Sequence, residues 1–545
     1  MIQYDIIVIG SGPGGYVAAI RAAQLGFKTA IVERAELGGI CLNWGCIPTK
    51  ALLKCAEVFR TVKNAAEYGV VIGDKTRVAN DDDITPDLAA MVARSRSVAE
   101  TMSKGVTFLL NKYKVEIIKG EATVEPNKSV SVRNSDGDIK ELSAPHIILA
   151  TGSRPKQLPN IPIDGEYVIS YREAMTLQKI PQSLLVMGSG AIGAEFAYFY
   201  SALGCKVTLV EYLPRIVPLE DEDVSAALSR AFRKNGIRIL TDSSVEVVEK
   251  LMCISCVNRP DGYIDASMMP KPVCQVIVKT KKGEEFIEVD KVLSAVGVQP
   301  NTDGFENIGI KTERGKVITD EFGRTSLQGY YAIGDITDKG AALAHVASHE
   351  ALVCVEKIAA ENGMANVSDV PNVSDIPTVS KVSDIPNVSD VPTVSNVPDI
   401  SGVAEIANIT GTVGATNPQP LDYTNIPACT YTTPEIASVG LTEQQAREKY
   451  SNVKTGKFPY TASGKATAAG AREGFVKVIF DGDTDLMLGC HLVGDHVTEM
   501  ISEAVLARQN KIKADDIIRA VHPHPTMSEA LMEAVSVAYG EAVHL

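Results

Sequence analysis

The chain has 545 residues, 45% of them hydrophobic, with 53 Lys plus Arg against 67 Asp plus Glu and a net charge of −14. This length exceeds a single core and predicts three or four domains of about 150 residues each, while the acidic balance repels phosphate backbones and anionic membranes, so neither nucleic acid nor membrane is expected as a partner. The opening "MIQYDIIVIG" runs at once into a β-branched strand, leaving no room for a signal or transit peptide, so the ten cysteines are expected to be mostly reduced in a cytoplasmic protein.

The first predicted unit, "IIVIGSGPGGYVAAIRAAQLGFKTAIVE" from Ile6, returns as "LLVMGSGAIGAEFAYFYSALGCKVTLVE" from Leu184, at a constant offset of 178. Each copy reads as a strand, a GxGxxG turn, a helix closed by glycine (Gly26, Gly204), a second strand and a terminal glutamate. The first glycine (Gly10, Gly188) permits the tight turn, the second (Gly12, Gly190) lets backbone approach a pyrophosphate, and the third (Gly15, Gly193) lets helix pack on strand. The helix N-terminus then offers free N–H groups to the anion, and Glu33 and Glu211 are placed to accept ribose hydroxyls. Two dinucleotide sites are therefore expected. An acidic Glu211 disfavours a 2′-phosphate, so NAD is expected over NADP at the second, although Arg215 lies four residues on. The apolar run from Leu184 to Gly204 carries Glu195 and several glycines, which predicts strand, turn and helix, not a membrane span.

Between the units, "GGICLNWGCIPTK" at residues 38–50 places Cys41 and Cys46 too far apart for the usual paired zinc ligands, with no second pair following, so no metal is expected. Two ordinary buried thiols and a redox-active dithiol both remain open from this stretch alone. After the second unit, Cys253 and Cys256 lie in a proline-bounded polar stretch without βαβ context and are expected to be bystanders. From Val367 to Ile409 every third residue is Val or Ile, with prolines at 371, 377, 386, 392 and 398, which excludes a helix interior or a central strand. That segment is expected to be a disordered low-complexity loop; the competing possibility is a polyproline II arm that docks on this or another protein. Near the C-terminus, "HPHPTMSE" puts His524 before a proline, biased away from helix, with Thr526 and Glu529 spaced as a capping box that folds the glutamate back toward the histidine.

Two nucleotide units bracketing a cysteine pair resemble the pyridine nucleotide-disulfide oxidoreductase family. The likeness rests on "GGICLNWGCIPTK", on "ATGSRP" at 150–155 and "YAIGDI" at 331–336 as further flavin segments, and on "AVHPHPTMSEAL" at 520–531. It covers Met1 to about Gly363 and resumes near Asp422; residues 364–421 have no counterpart, and the connection from Met252 to Val273 is longer than usual. The resemblance implies an α/β fold: an FAD-binding domain at 1–155, an NAD-binding domain at 156–295, a central domain at 296–363 completing the flavin site, the insertion, and an α+β dimerisation domain at 422–545.

The same resemblance implies the chemistry, and is strongest to members that oxidise dihydrolipoamide. FAD would sit on the first unit, with Glu33 and Asp335 at its hydroxyls, Gly12 at its pyrophosphate, Thr151 and Gly152 beside it, and Gly120, Ala342 and His345 as further contacts. NAD would sit on the second, with Val245 and Gly297 added to Gly188, Gly190, Gly193 and Glu211. Cys41 and Cys46 would form a disulfide, Cys41 exchanging with substrate and Cys46 facing the flavin, with Lys50 and Glu195 as the charged pair beside its ring. His524, oriented by Glu529 and supplied by the partner in a homodimer, would be the base, and His522 a structural neighbour. Expected protein partners are lipoyl domains and subunit-binding domains of 2-oxoacid dehydrogenase acyltransferases, or the lipoylated carrier of glycine cleavage. The rival expectations are another disulfide reductase with a small substrate and a scaffold that displays the repeat arm. Thiol-bearing C-terminal tails, as in mercuric and large thioredoxin reductases, do not fit "AYGEAVHL".

Overall fold

The computed structural model describes residues 2–72, 84–252, 272–363 and 418–545. The repeat arm at 367–409 and the Cys253/Cys256 pair lie outside these residues.

Both predicted units fold as read. In the first, the Ile6–Ile9 strand leads into the Pro13–Gln24 helix and the Thr29–Glu33 strand. In the second, Ser183–Met187 leads into the Ala191–Ala202 helix and Lys206–Val210. Each unit builds a five-stranded, wholly parallel sheet with its motif strand in the middle. Around Ile6–Ile9 the strands run Tyr330–Ala332, His146–Leu149, Ile6–Ile9, Thr29–Glu33, Glu116–Lys119. Around Ser183–Met187 they run Val168–Ile169, Lys291–Ser294, Ser183–Met187, Lys206–Val210, Arg238–Leu240. Strands such as Ile6–Ile9 are buried on both faces, which is why they read as continuous apolar runs without alternation. In both sheets the chain crosses to opposite sides of the motif strand, opening a crevice at its carboxyl end, where doubly wound sheets bind ligands.

A third five-stranded sheet, entirely antiparallel, follows in the order Ala428–Thr430, Glu435–Gly440, Met487–Gly494, Phe475–Asp481, Val453–Pro459. The Val497–Gln509 and Glu529–Tyr539 helices share its core through Met500, Ile501, Leu531 and Val535. This is the expected α+β C-terminal architecture. It is joined to the second unit by a charge cluster in which buried Lys477 meets buried Asp221 and the more exposed Asp223 and Glu443 at 2.8–2.9 Å. Three carboxylates around one ammonium hold Lys477 in its charged form despite burial.

Candidate active site

The two glycine turns are near copies in three dimensions. Gly10 and Gly188 sit at φ +97° and +92°, in the left-handed region that glycine tolerates. A Cβ on Gly15 would lie 1.9 Å from Gly10 O, and one on Gly193 the same distance from Gly188 O, so the third glycine is where helix meets strand. A Cβ on Gly12 or Gly190 would meet nothing within 4 Å. Both are helix N-caps; the open space in front of them is what a pyrophosphate requires. Glu33 accepts Ser11 N–H and Oγ–H at 2.9 and 2.6 Å and Ala35 N–H at 2.8 Å. Glu211 repeats this with Ser189 at 2.9 and 2.6 Å and Leu213 N–H at 2.9 Å. Both carboxylates are thus fixed beside their glycine turns, as a hydroxyl acceptor must be. A direct test separates space from strain: Gly190→Ala should fold normally and raise KM for NAD about tenfold or more, because its methyl takes up pyrophosphate room, whereas Gly193→Ala should lose thermal stability through the 1.9 Å clash. Equal KM for NAD in wild type and Gly190→Ala would remove the second turn from nucleotide binding.

The cysteine stretch is tied to the first turn. Gly38 N–H donates to Ser11 O at 3.1 Å, and a Cβ on Gly39 would lie 2.6 Å from Gly12 Cα, so glycine at 38–39 lets the stretch run against the turn. Cys41 lies in the short Gly39–Trp44 helix, and Cys46 opens the Cys46–Lys63 helix. Both are half-buried, and each lies close enough to the other to perturb its thiol. One turn beyond Cys46, Lys50 Nζ reaches both oxygens of Glu195 at 2.8 and 2.9 Å, and Glu195 also accepts the Tyr431 N–H at 3.1 Å. The ammonium lies 4.3 Å from the centre of the Tyr431 ring. Glu195, only 4% exposed, therefore links both nucleotide units and the C-terminal sheet.

These surroundings make the two thiols unequal. The hydrogen bond to Cys46, with burial, pushes Cys41 up and keeps its proton on. The hydrogen bond from Cys41 and then, against the opposing effect of burial, the Lys50 charge pull Cys46 down to about 7. Cys46 is consequently the more acidic thiol of the pair. Lys50→Met should move the thiolate titration of the reduced protein, followed by ultraviolet thiolate absorbance, to higher pH; an unmoved midpoint would disconnect Lys50 from the pair.

Several of the other flavin-site candidates are tied to one another by hydrogen bonds. Thr151 Oγ1 donates to Asn301 O at 2.7 Å, while Asn301 Nδ2 donates to Thr151 O and Asn301 N–H to Gly152 O, both at 2.9 Å. Gly152 is left-handed at φ +66° with open space at its Cβ position. Ser153 Oγ donates to Asp335 Oδ2 at 2.6 Å, joining the "ATGSRP" and "YAIGDI" segments. Gly120 N–H donates to Glu33 O at 3.0 Å, and a Cβ there would lie 2.5 Å from Arg133 O. Ala342 is exposed just before the Ala344–Glu361 helix, whose second residue, His345, bonds through Nε2 to Pro427 O at 3.0 Å. On the second unit, Gly297 follows the Lys291–Ser294 strand at φ +105° with open space, and Val245 lies in the Ser244–Met252 strand. Asn301 and Tyr431 were not among the sequence candidates; nothing in their local sequence marks them.

His524 Nδ1 bonds Glu529 Oε1 at 2.8 Å, leaving Nε2 with no partner among the described residues. Against partial burial, the Thr526 N–H and His524 hold Glu529 below its ordinary range. The expected capping box is only half formed. Glu529 does fold back to the Thr526 N–H at 2.8 Å, but the Thr526 hydroxyl donates to Pro523 O at 2.7 Å and the helix starts at Glu529, behind Ser528. The helix begins later than the motif predicts because the Pro523 carbonyl captures the hydroxyl. His522 is bonded through both ring nitrogens, to Ala520 O and Glu503, as a structural residue is. Among the described residues no hydrogen bond or ion pair joins the His524–Glu529 pair to the cysteines; His524 is 77% exposed and directed outward.

Comparison with known proteins decides the family. Residues 4–351 match the pyridine nucleotide-disulphide oxidoreductase family, and residues 426–535 match its dimerisation domain. The chain belongs to the pyridine nucleotide-disulphide oxidoreductases. It is 41% identical over 544 residues to a dihydrolipoyl dehydrogenase of Zymomonas mobilis and 36% identical over 554 residues to one of Bacillus subtilis, in each case spanning 99% of both chains. The crystal structure of LpdA from Mycobacterium tuberculosis superposes with a TM-score of 0.76 at 23% identity, covering 98% of this chain and 99% of that one. As a member of this oxidoreductase family the protein uses FAD and NAD, and the two crevices, with open second glycines and fixed carboxylates, fit both dinucleotides. The family's dimerisation domain makes it a homodimer. Among the described residues no helix is long and apolar enough to cross a membrane.

Proposed function

We propose that this protein oxidises protein-bound dihydrolipoyl groups to lipoyl disulfides and reduces NAD, in the cytoplasm. The single observation that carries the mechanism is the placement of Cys41 and Cys46 against the first glycine turn, with Lys50 one turn beyond Cys46. In the oxidised protein Cys41 and Cys46 form a disulfide. A substrate thiolate attacks Cys41 Sγ, the Cys41–Cys46 bond breaks, and Cys46 leaves as the thiolate; the lower a leaving thiol's pKa, the faster it departs, and Cys46 is the lowered one. The second substrate thiol then displaces Cys41 from the mixed disulfide, closing the lipoyl ring and leaving a dithiol protein. FAD, when bound on the first unit, supplies the conversion between thiol and hydride chemistry.

His524 is the group that takes the substrate proton. Its Nδ1 faces the Glu529 carboxylate, which places the lone pair on Nε2, free to take the proton. Because it is exposed and makes no contact with its own chain's cysteines among the described residues, the site is completed across the dimer, the histidine coming from the partner subunit. Lys50 and Glu195 hold charge beside the Cys46 thiolate. The substrate's protein carriers are lipoyl domains of 2-oxoacid dehydrogenase complexes or of glycine cleavage; the relatives' name, dihydrolipoyl dehydrogenase, supports the dihydrolipoyl substrate. NADH formation from free dihydrolipoamide by the purified FAD-loaded homodimer tests this; turnover with another dithiol or disulfide, and none with dihydrolipoamide, would replace it.

A further inference from the structure

A buried side chain that the reaction scheme does not use holds the turn carrying Asp335 from behind. Glu350, in the second turn of the Ala344–Glu361 helix, is 8% exposed. Its Oε2 accepts the Gly334 N–H at 2.6 Å and its Oε1 accepts the Tyr423 hydroxyl at 2.7 Å. Gly334 opens the Gly334–Ile336 turn at φ +75°, and a Cβ there would come 3.2 Å from the Cβ of Ala347, one helical turn before Glu350. A Cβ on Gly14 would meet Ala347 O, also at 3.2 Å. One face of this helix thus supports both the Asp335 turn and the helix that follows the first glycine turn.

Burial pushes the Glu350 carboxyl up, so its position carries an energetic cost that an apolar side chain of similar volume would avoid. The offsetting role lies in what its two oxygens hold. The tyrosine ring occupies the space over the loop before the helix, since a Cβ on Gly340 would lie 3.1 Å from Tyr423 Cε1. Tyr423 therefore fixes the far oxygen of Glu350 while the near one fixes the turn. We propose that Glu350 is a positioning residue of the flavin site, which, with Tyr423 behind it, locks the Gly334 amide so that Asp335 presents its carboxylate to a flavin hydroxyl. Asp335 follows Gly334 directly, and its Oδ2 is held by Ser153, so a peptide rotation at Gly334 would swing the carboxylate from that partner. The proposal rests on FAD occupying the first unit.

The test uses full-length homodimer stripped of flavin and titrated with FAD, comparing wild type with Glu350→Gln and Tyr423→Phe. Replacing a charged acceptor by an amide is expected to weaken FAD binding about 10- to 100-fold. Tyr423→Phe, which keeps the carboxylate, should weaken it up to about tenfold, and NAD affinity should stay within about twofold in both. Melting temperatures separate positioning from packing: positioning shrinks the gap between flavin-loaded and flavin-free protein while the flavin-free Tm holds. FAD affinity within about twofold of wild type in both variants, or a flavin-free Tm that falls as far as the loaded one, would overturn the proposal. Should Glu350→Gln fail to fold, the Tyr423→Phe titration decides alone. Wild-type protein that takes up no FAD would instead overturn the flavin assignment itself.

Discussion

Cys41→Ser should abolish dihydrolipoamide-dependent NAD reduction, by about 10⁴-fold or more, while leaving FAD content and NAD binding unchanged. The serine oxygen cannot join a disulfide, so the mixed-disulfide step has no acceptor. The fold should survive, because Cys41 is only partly buried at the edge of its cluster and the substitution is nearly isosteric. The serine hydroxyl keeps a donor beside Cys46, so the remaining thiol should still titrate below its ordinary range. Flavin content, turnover and thiol titration are three separate measurements. Retained lipoamide turnover in Cys41→Ser would sink the pair as the redox centre.

His524→Gln is expected to slow the reaction with dihydrolipoamide about 10²- to 10⁴-fold, the usual cost of removing a positioned base. Reduction of the protein by NADH, which involves no substrate thiol, should change little, so stopped-flow measurement of the two half-reactions separates base from scaffold. Glutamine keeps a hydrogen-bonding side chain opposite Glu529 but cannot carry the proton. Equal slowing of both half-reactions would assign His524 to the dimer contact instead. Mixed dimers give a sharper result: pairing a Cys41→Ser chain with a His524→Gln chain leaves one intact site if the histidine serves the partner's cysteines, and none if it serves its own.

Much of this was legible in the sequence because nucleotide recognition is written locally. The strand, glycine turn, helix and acid of each unit lie within about thirty residues, and the repeat from Ile6 to Leu184 made each copy a check on the other. Ser11 and Ser189, which orient Glu33 and Glu211, stand at equivalent positions of that repeat and could have been picked out by the same comparison. The unanticipated contacts are those made by chain-distant partners. Asn301 reaches Thr151 and Tyr431 reaches Glu195 from more than 100 residues away, and only the packing of one domain on another creates either contact. Glu350 was hidden differently: in sequence it is one more charge on an amphipathic helix, and only its burial against Gly334 and Tyr423 sets it apart. The helix start at Glu529 was misplaced for a local reason, since the capping-box spacing does not reveal that Thr526 has a competing acceptor in Pro523.

In the oxidised protein Cys41 and Cys46 are expected to form a disulfide that dihydrolipoamide opens. This is tested most directly without NAD or turnover, by alkylating the oxidised protein before and after one anaerobic equivalent of dihydrolipoamide and weighing the peptide GGICLNWGCIPTK by mass spectrometry. No label is expected beforehand, two labels on that peptide afterwards, on Cys41 and Cys46, and an equivalent of lipoamide formed. The same labelling of both cysteines before and after dihydrolipoamide would contradict it.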